Sequence, residues 1–175
     1  MPYIGQGVNP SLNPGVTPTF IFSPNGSATC NLRLSNSGNY PVYVGGANVS
    51  QFNGFPIPPG SRPVEIQNAG AIASGGALYA AAQVFASGPS VVTNSAVSGG
   101  VTSFTVTTTG LTANTLPFPV ILGNSPGQEV VFCTALTGNT VLTLSQKTTY
   151  DHATGCTVAT AVGQYSVLNV TSGVV

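Results

Sequence analysis

The stretch GQEVVFCTALTGNTVLTLS, residues 127–145, decides the fold class. Apolar and polar side chains alternate on both sides of Gly138-Asn139, and β-branched residues are frequent in both halves. Gly and Asn tolerate the positive φ angles that a two-residue hairpin turn requires. The pattern therefore predicts an antiparallel hairpin with strands over 127–135 and 139–145.

The same period of two recurs in other parts of the chain, and the segments that show it are short. Turn-forming sequences such as Asn53-Gly54 and Pro58-Pro59-Gly60 separate them. Regularly spaced short strands are typical of sandwiches and barrels. We therefore predict an all-β protein with two small antiparallel β-sandwich or barrel-like units. The alternating pairs outside the hairpin include Phe20 and Phe22, Leu32 and Leu34, Val42 and Val44, and Val64 and Ile66.

Composition shifts predict the domain organisation. Residues 1–18 are rich in proline and glycine, which disfavour a helix or a central strand, so we expect an extended N-terminal arm. A first β domain is expected over 19–88, with a loop and then a strand in its alanine-rich part. Residues 89–100 are small and polar, which is typical of a linker, and a second β domain is expected over 101–175.

The charge count narrows the function. The chain has three Lys plus Arg, three Asp plus Glu and one His, so that 3% of its residues are charged. Ordinary soluble domains have roughly a quarter. Three scattered cations cannot neutralise several phosphates, which argues against nucleic-acid binding. A neutral surface with little repulsion between copies suits a subunit packed against neighbours better than a dispersed enzyme.

Targeting signals are not apparent in the sequence. The first residues carry no basic stretch followed by an apolar run, and no window approaches the roughly 18 apolar residues of a membrane span. We expect synthesis in a cytosol and no membrane association.

Residue types that carry catalysis are scarce. Asp151 and His152 are the one adjacent acid–base pair, but neighbours on a strand point to opposite faces, so we interpret them as an exposed turn pair. A glycosidase would need two of the three carboxylates, Glu65, Glu129 and Asp151, to flank one bond. No metal-ligand spacing and no phosphate-binding glycine motif occurs. We predict no catalytic, metal or cofactor site.

The three cysteines, Cys30, Cys133 and Cys156, are an odd number with no CxxC motif. Buried free thiols are the simplest interpretation. A Cys133–Cys156 bridge stays open if two strands bring these residues together.

Two stretches resemble proteins of tailed-bacteriophage virions. Residues 42–70, VYVGGANVSQFNGFPIPPGSRPVEIQNAG, with LYAAA at 78–82, resemble one module of such proteins. Residues 104–158 are similar to a second module, in which Glu129, Gly138-Asn139-Thr140, Leu142-Thr143-Leu144, His152 and Gly155 fall at matching places. SQKTTY at 145–150 stands where that module has an Arg-Gly turn.

The resemblance implies a non-enzymatic capsid decoration or minor capsid protein. Its partners would be the major capsid protein and copies of itself, often as a homotrimer, and its location would be the capsid surface of the virion. A tail or fibre component that contacts the host is an alternative. A carbohydrate-binding β module is another, because tyrosine faces can stack on sugars.

Assembly contacts are expected in the arm and in the 45–60 loop, since both are apolar, uncharged and stiffened by proline. The residues predicted to make these contacts are Tyr3, Ile4, Val8, Leu12, Phe52, Phe55 and Ile57.

Overall fold

The computed structural model describes residues 11–22, 30–67, 77–107, 111, 116–164 and 166–174. Within these ranges the regular secondary structure is β-strand, paired antiparallel, which confirms the predicted all-β class. The chain divides into two compact units. Unit 1 combines Met1–Gln83 with Gly163–Val175, and unit 2 is Val84–Val162. Unit 2 is thus an insertion within the sequence of unit 1.

Unit 1 is built from two antiparallel sheets. Its strands are β1 (Ser11–Leu12), β2 (Thr19–Phe22), β3 (Cys30–Asn36), β4 (Val42–Gly45), β5 (Phe55–Ile57), β6 (Val64–Ile66), β7 (Leu78–Ala82) and β14 (Leu168–Val174). Sheet A has the order β1-β14-β3-β6, and sheet B has the order β2-β7-β4-β5. The core residues come from both sheets, as the alternating pattern requires for a sandwich. They include Leu12, Leu32, Leu34, Leu168 and Val170 of sheet A and Ile21, Val42, Val44, Ile57 and Ala80 of sheet B.

Unit 2 is a closed barrel. Its strands are β8 (Val84–Val92), β9 (Ser103–Thr105), β10 (Phe118–Leu122), β11 (Glu129–Thr137), β12 (Val141–Leu144) and β13 (Thr157–Gly163), in the order β8-β13-β10-β11-β12-β9. Thr93 and Val106 form an antiparallel bridge just beyond the two edge strands. Beside it, Asn94 N–H donates to Thr105 O at 3.0 Å and Thr107 N–H to Val92 O at 2.8 Å. The two edges of the sheet therefore meet at this bridge, which closes the sheet at that point.

The β11–β12 hairpin lies where residues 127–145 predicted one, but its strands are Glu129–Thr137 and Val141–Leu144 and not 127–135 and 139–145. The two strands pair antiparallel, with Leu136 opposite Leu142. Gly138 and Asn139 have φ angles of 58° and 56°, the positive values that a type I′ turn requires. The inward residues of both strands, including Cys133, Leu142 and Leu144, join the core of the barrel.

The unit boundaries differ from those expected. Residues 89–92, expected in a linker, belong to strand β8, and Leu168–Val174, expected in the second domain, pairs with β3 in unit 1. Leu168 and Val170 alternate inward and fill the sandwich core between the sheets, which places this strand in unit 1. The arm also differs, because Leu12 pairs with Leu168 as part of an edge strand.

Candidate functional site

The main cluster of titratable side chains in unit 2 is a buried pair, Glu129 and His152. Glu129 begins β11, and His152 pairs through its backbone with Val97 in an isolated bridge. The Nε2 atom of His152 lies 2.8 Å from Oε1 of Glu129. Both residues are buried, with 6% and 7% of their surface exposed. This is the one place in the described chain where an acid and an imidazole meet.

The interpretation of Asp151 and His152 as an exposed turn pair was wrong for His152. The backbone bridge to Val97 gives this segment strand-like alternation, so Asp151 points outward and His152 inward. Asp151 instead accepts the N–H of Gly99 through Oδ1, at 2.7 Å. Asp151 and His152 thus point in opposite directions, as predicted for neighbours on a strand, and Asp151 does not orient the imidazole of His152.

The buried carboxylate of Glu129 is occupied by donors. Its Oε2 accepts the N–H of Thr149 at 2.8 Å, and its Oε1 accepts the N–H of Tyr150 at 3.3 Å besides facing His152. A buried carboxylate is tolerated when such donors replace its water shell. The pair therefore holds the segment after β12 against the start of β11, and we name the set Glu129, Thr149, Tyr150 and His152 the clasp.

Gly123, at the end of β10, makes room for the clasp. Its φ is +95°, a value that side chains other than hydrogen disfavour. A Cβ atom added there would lie 2.5 Å from Nδ1 of His152, well inside van der Waals contact. The glycine thus lets the imidazole pack directly against backbone.

Sequence reasoning did not bring the members of the clasp together. Glu129 and His152 both matched the resembled module, but nothing in their spacing indicated contact. The scarcity of charge could have indicated this contact. A buried ionisable side chain needs a partner, and this chain has few ionisable side chains that could be one.

The residues predicted as assembly contacts fall into three groups: residues outside the described ranges, buried residues and accessible residues. Tyr3, Ile4 and Val8 lie outside the described residues. Leu12 and Ile57 are 3% and 0% exposed in the core of unit 1, which corrects their assignment as contacts. Their side chains face the sandwich interior because β1 and β5 pair into the sheets.

The other two predicted contacts are accessible. Phe52 is half-buried, and Phe55 is 60% exposed at the start of the edge strand β5. The turn that leads to them is held by Asn53, whose Oδ1 accepts the N–H of Ser50 at 2.7 Å and whose Nδ2 donates to Asn48 O at 3.1 Å. The exposed Phe55 therefore follows a turn that the hydrogen bonds of Asn53 hold in place.

The outward face of sheet B carries further aromatic side chains. Phe20 lies opposite Tyr79 in the β2–β7 pair, and their rings meet edge to face with centroids 5.8 Å apart. Tyr43 lies on the same face in β4, and Phe20 is 38% exposed. We name Phe20, Tyr43 and Tyr79 the aromatic face.

The charged residues of unit 1 lie on sheet A or in the loop between β5 and β6, where Arg62 is placed. These residues are Arg33, Arg62 and Glu65, and Arg33 lies opposite Glu65 in the β3–β6 pair. Their side chains approach to 3.7 Å and are each 60% exposed, so this ion pair contributes little stability. No strand of sheet B contains a charged residue. The aromatic face therefore consists of three rings and two tyrosine hydroxyls, with no charged residue on its own strands.

Cys133 and Cys156 are free, buried thiols in the barrel. Burial raises the pKa of the Cys133 thiol, although hydrogen bonds with the backbone of Ala135 and Thr143 act in the opposite direction. The side chain of Cys30 lies outside the description. The free-thiol interpretation is confirmed for these two residues, and the open possibility of a bridge between them is not realised.

Across the described ranges, no group of three or more His, Cys, Asp or Glu side chains is placed to hold a metal ion. In the same ranges there is no helix with the length and apolarity needed to cross a bilayer.

Comparison with known proteins adds no relative. No protein-family model matches the chain, and neither a curated protein nor a solved structure gives a significant match.

Proposed function

We propose that this protein is a non-enzymatic structural subunit of a bacteriophage virion, a decoration or minor capsid protein that binds and stabilises the outer shell. The observation that carries the proposal is the separation of charge from aromatic surface in unit 1. The resemblance of residues 42–70, 78–82 and 104–158 to virion modules supplies the class of particle.

The charge-free surface favours burial against another protein. Interface cores are depleted in charged residues and enriched in aromatic ones, because burying an unpaired charge costs far more than burying a ring. Aromatic anchors also contribute a large share of binding energy in many interfaces. The aromatic face and the exposed Phe55 have these properties, while Arg33 and Glu65 lie on the other sheet.

The clasp supports a structural role for the single acid–imidazole pair. A general base needs a free lone pair directed at its substrate. Both oxygens of Glu129 are already engaged by donors from its own chain, and the ring of His152 is packed against Gly123. The arrangement stabilises a loop and leaves little room for a reacting molecule.

The partners follow from the same proposal. The major capsid protein would meet the aromatic face, and copies of the chain would associate as homotrimers at junctions between capsomers. Extra subunits that bridge neighbouring capsomers add buried area at the seams of a shell under pressure. The protein would reach the capsid surface after synthesis in the host cytoplasm, without contacting nucleic acid or membrane.

Mass photometry of the chain with empty shells of its phage tests the proposal. Binding in whole trimers per capsomer junction is the expected result. Binding to tails or host cells instead would support the tail or fibre alternative, and binding to an oligosaccharide array would support a carbohydrate-binding module. Either result would overturn the decoration assignment.

A matched pair of variants tests the aromatic face. Phe20→Ser should weaken shell binding at least ten-fold, whereas Tyr150→Ser, at nearly equal exposure in unit 2 (37% against 38%), should leave it unchanged. Equal binding by both variants would show that the aromatic face does not meet the shell.

A further inference from the structure

A short open edge remains in the otherwise closed barrel of unit 2. Leu144 N–H donates to Thr102 O and Val106 N–H donates to Thr140 O, each at 2.8 Å. Backbone groups alternate in direction along a strand, so the residues between Thr102 and Val106 at odd positions face away from β12. These residues are Ser103 and Thr105.

The outer side of β9 is only partly paired. The C=O of Thr105 accepts the N–H of Asn94 at 3.0 Å, beside the bridge that closes the barrel. Within the described part of the chain, the structure assigns no partner to the N–H and C=O of Ser103 or to the N–H of Thr105. Unpaired groups in a row on a strand edge are a template for another extended chain.

A groove lies along this edge. It has a volume of about 310 Å³ and is open to solvent. Its floor and walls combine small hydroxyl side chains with valine methyl groups. The lining residues include Ser95, Val97, Ser98, Val101, Ser103 and Val141. This volume is at the lower end for ligand sites, and it suits a few residues of peptide.

The groove carries no charge. The charged or titratable acid, amine and imidazole side chains of unit 2 are Glu129, Lys147, Asp151 and His152, and none of them lines it. Glu129 and His152 bind each other, and Asp151 is hydrogen-bonded to Gly99. A charged side chain entering the groove would lose hydration without gaining a counter-charge. The groove therefore selects an uncharged segment.

We propose that the groove beside β9 is a strand-acceptor site, which binds an extended, uncharged segment of a partner polypeptide. Ser103 and Thr105 supply the backbone hydrogen bonds, and the hydroxyl and valine lining contacts alternate side chains of the guest strand. The proposal concerns unit 2 and is independent of shell binding through the aromatic face of unit 1.

Amide hydrogen exchange of the full chain, followed by NMR, gives the first test. The amides of Ser103 and Thr105 should exchange quickly in the free protein, while those of Phe104 and Leu142 in the ladder should be protected. Strong protection of Ser103 and Thr105 without ligand would overturn the proposal, because the edge would already be paired.

The probe is an acetylated and amidated hexapeptide of alternating threonine and valine. It should shift resonances of the groove residues and slow exchange at Ser103 and Thr105. The control is the same peptide N-methylated at every residue, which leaves no N–H on either edge of the extended chain and should not bind. Equal binding of both peptides, no binding of either, or binding of a neutral oligosaccharide in their place would each overturn the proposal.

Two variants locate the site. Ser103→Pro removes an N–H that faces the groove while leaving the β12 ladder its donors, and it should weaken peptide binding at least ten-fold. Val141→Lys, which places a charge on the groove wall, should do the same if the proline variant does not fold. Val162→Lys, at a valine that is 46% exposed on β13, should bind the peptide like the original protein. Unchanged binding in Val141→Lys would contradict the assignment.

Discussion

Glu129 and His152 are 23 positions apart, and the 2.8 Å contact between Oε1 and Nε2 joins the start of β11 to the segment that follows β12. Because the carboxylate also accepts the N–H groups of Thr149 and Tyr150, one side chain organises a whole stretch of backbone. The barrel thus depends on a polar contact at one end and on apolar packing in its interior.

Removing the carboxylate should destabilise unit 2 strongly. Glu129→Ala leaves the buried His152 and two part-buried backbone N–H groups without their acceptor, which is expected to cost about 3–5 kcal/mol. Glu129→Gln keeps one acceptor oxygen and should cost less, about 1–3 kcal/mol. Urea unfolding measures both values. A loss below about 0.5 kcal/mol for the alanine variant, the range of ordinary surface substitutions, would show that the clasp is not a stabilising element.

Alanine substitutions at Gly123 and Gly127 distinguish the cost of a steric clash from the cost of backbone strain. Both have positive φ, +95° and +104°, but an added Cβ meets His152 only at Gly123 and meets nothing within 4 Å at Gly127. Gly127→Ala should cost about 1–2 kcal/mol, the backbone term alone. Gly123→Ala should cost at least about 1 kcal/mol more, since the imidazole must move. Equal thermal shifts for the two variants would mean that His152 is not held against Gly123.

Unit 1 should fold without unit 2. Gln164 N–H donates to Gln83 O at 2.9 Å, so the two ends of the insertion are already adjacent within unit 1. Replacing 84–162 with a short glycine linker should therefore leave a cooperative unfolding transition by circular dichroism. A fragment of residues 1–88, which lacks β14 between β1 and β3, should remain unfolded. A folded 1–88 fragment together with an unfolded linker variant would contradict the division into units.

The Cys133 thiol gives a pH dependence of stability. Burial raises its pKa above the usual value of 9.0, so the unfolded chain releases this proton at a lower pH than the folded protein does. The contribution is fully present below the unfolded-state pKa and is lost as the pH rises through the folded-state pKa. The urea concentration at the unfolding midpoint should decrease above about pH 9. The decrease should be smaller in the Cys133→Ala variant, which lacks this thiol. Identical pH profiles would exclude a role for this thiol.

Local features of this fold were predictable, and long-range pairings were not. Alternation placed Val42 and Val44 on one face of a half-buried strand, and Gly138-Asn139 marked a turn, because both signals are contained in a few neighbouring residues. Alternation does not identify a strand's partner, so the pairing of β14 with β3 across the inserted unit was missed. Residues 89–92, Pro-Ser-Val-Val, were assigned to a linker because they run directly into the small and mostly polar residues of 93–100.

The candidate sites were predictable to a smaller degree. Phe55 is exposed at the start of β5, as a contact residue must be, and its role as an assembly contact stays a prediction. The burial of Leu12 and Ile57 in the core of unit 1 was not indicated by the sequence. An apolar residue in a proline-rich segment gives the same pattern whether it packs on a neighbouring subunit or on the core of its own chain. The clasp depends on a contact between two segments that are distant in the sequence. Neither local sequence indicates that the two segments are in contact.

The insertion of unit 2 also sets an order of events during synthesis. Unit 2 is one continuous stretch of chain and can complete its barrel as soon as it leaves the ribosome. Unit 1 must wait, because β14, which lies between β1 and β3, is translated only after the whole inserted barrel. Until then sheet A lacks the strand that joins β1 to β3, and both of those strands expose an unpaired edge, which makes the nascent chain most vulnerable to aggregation before β14 emerges.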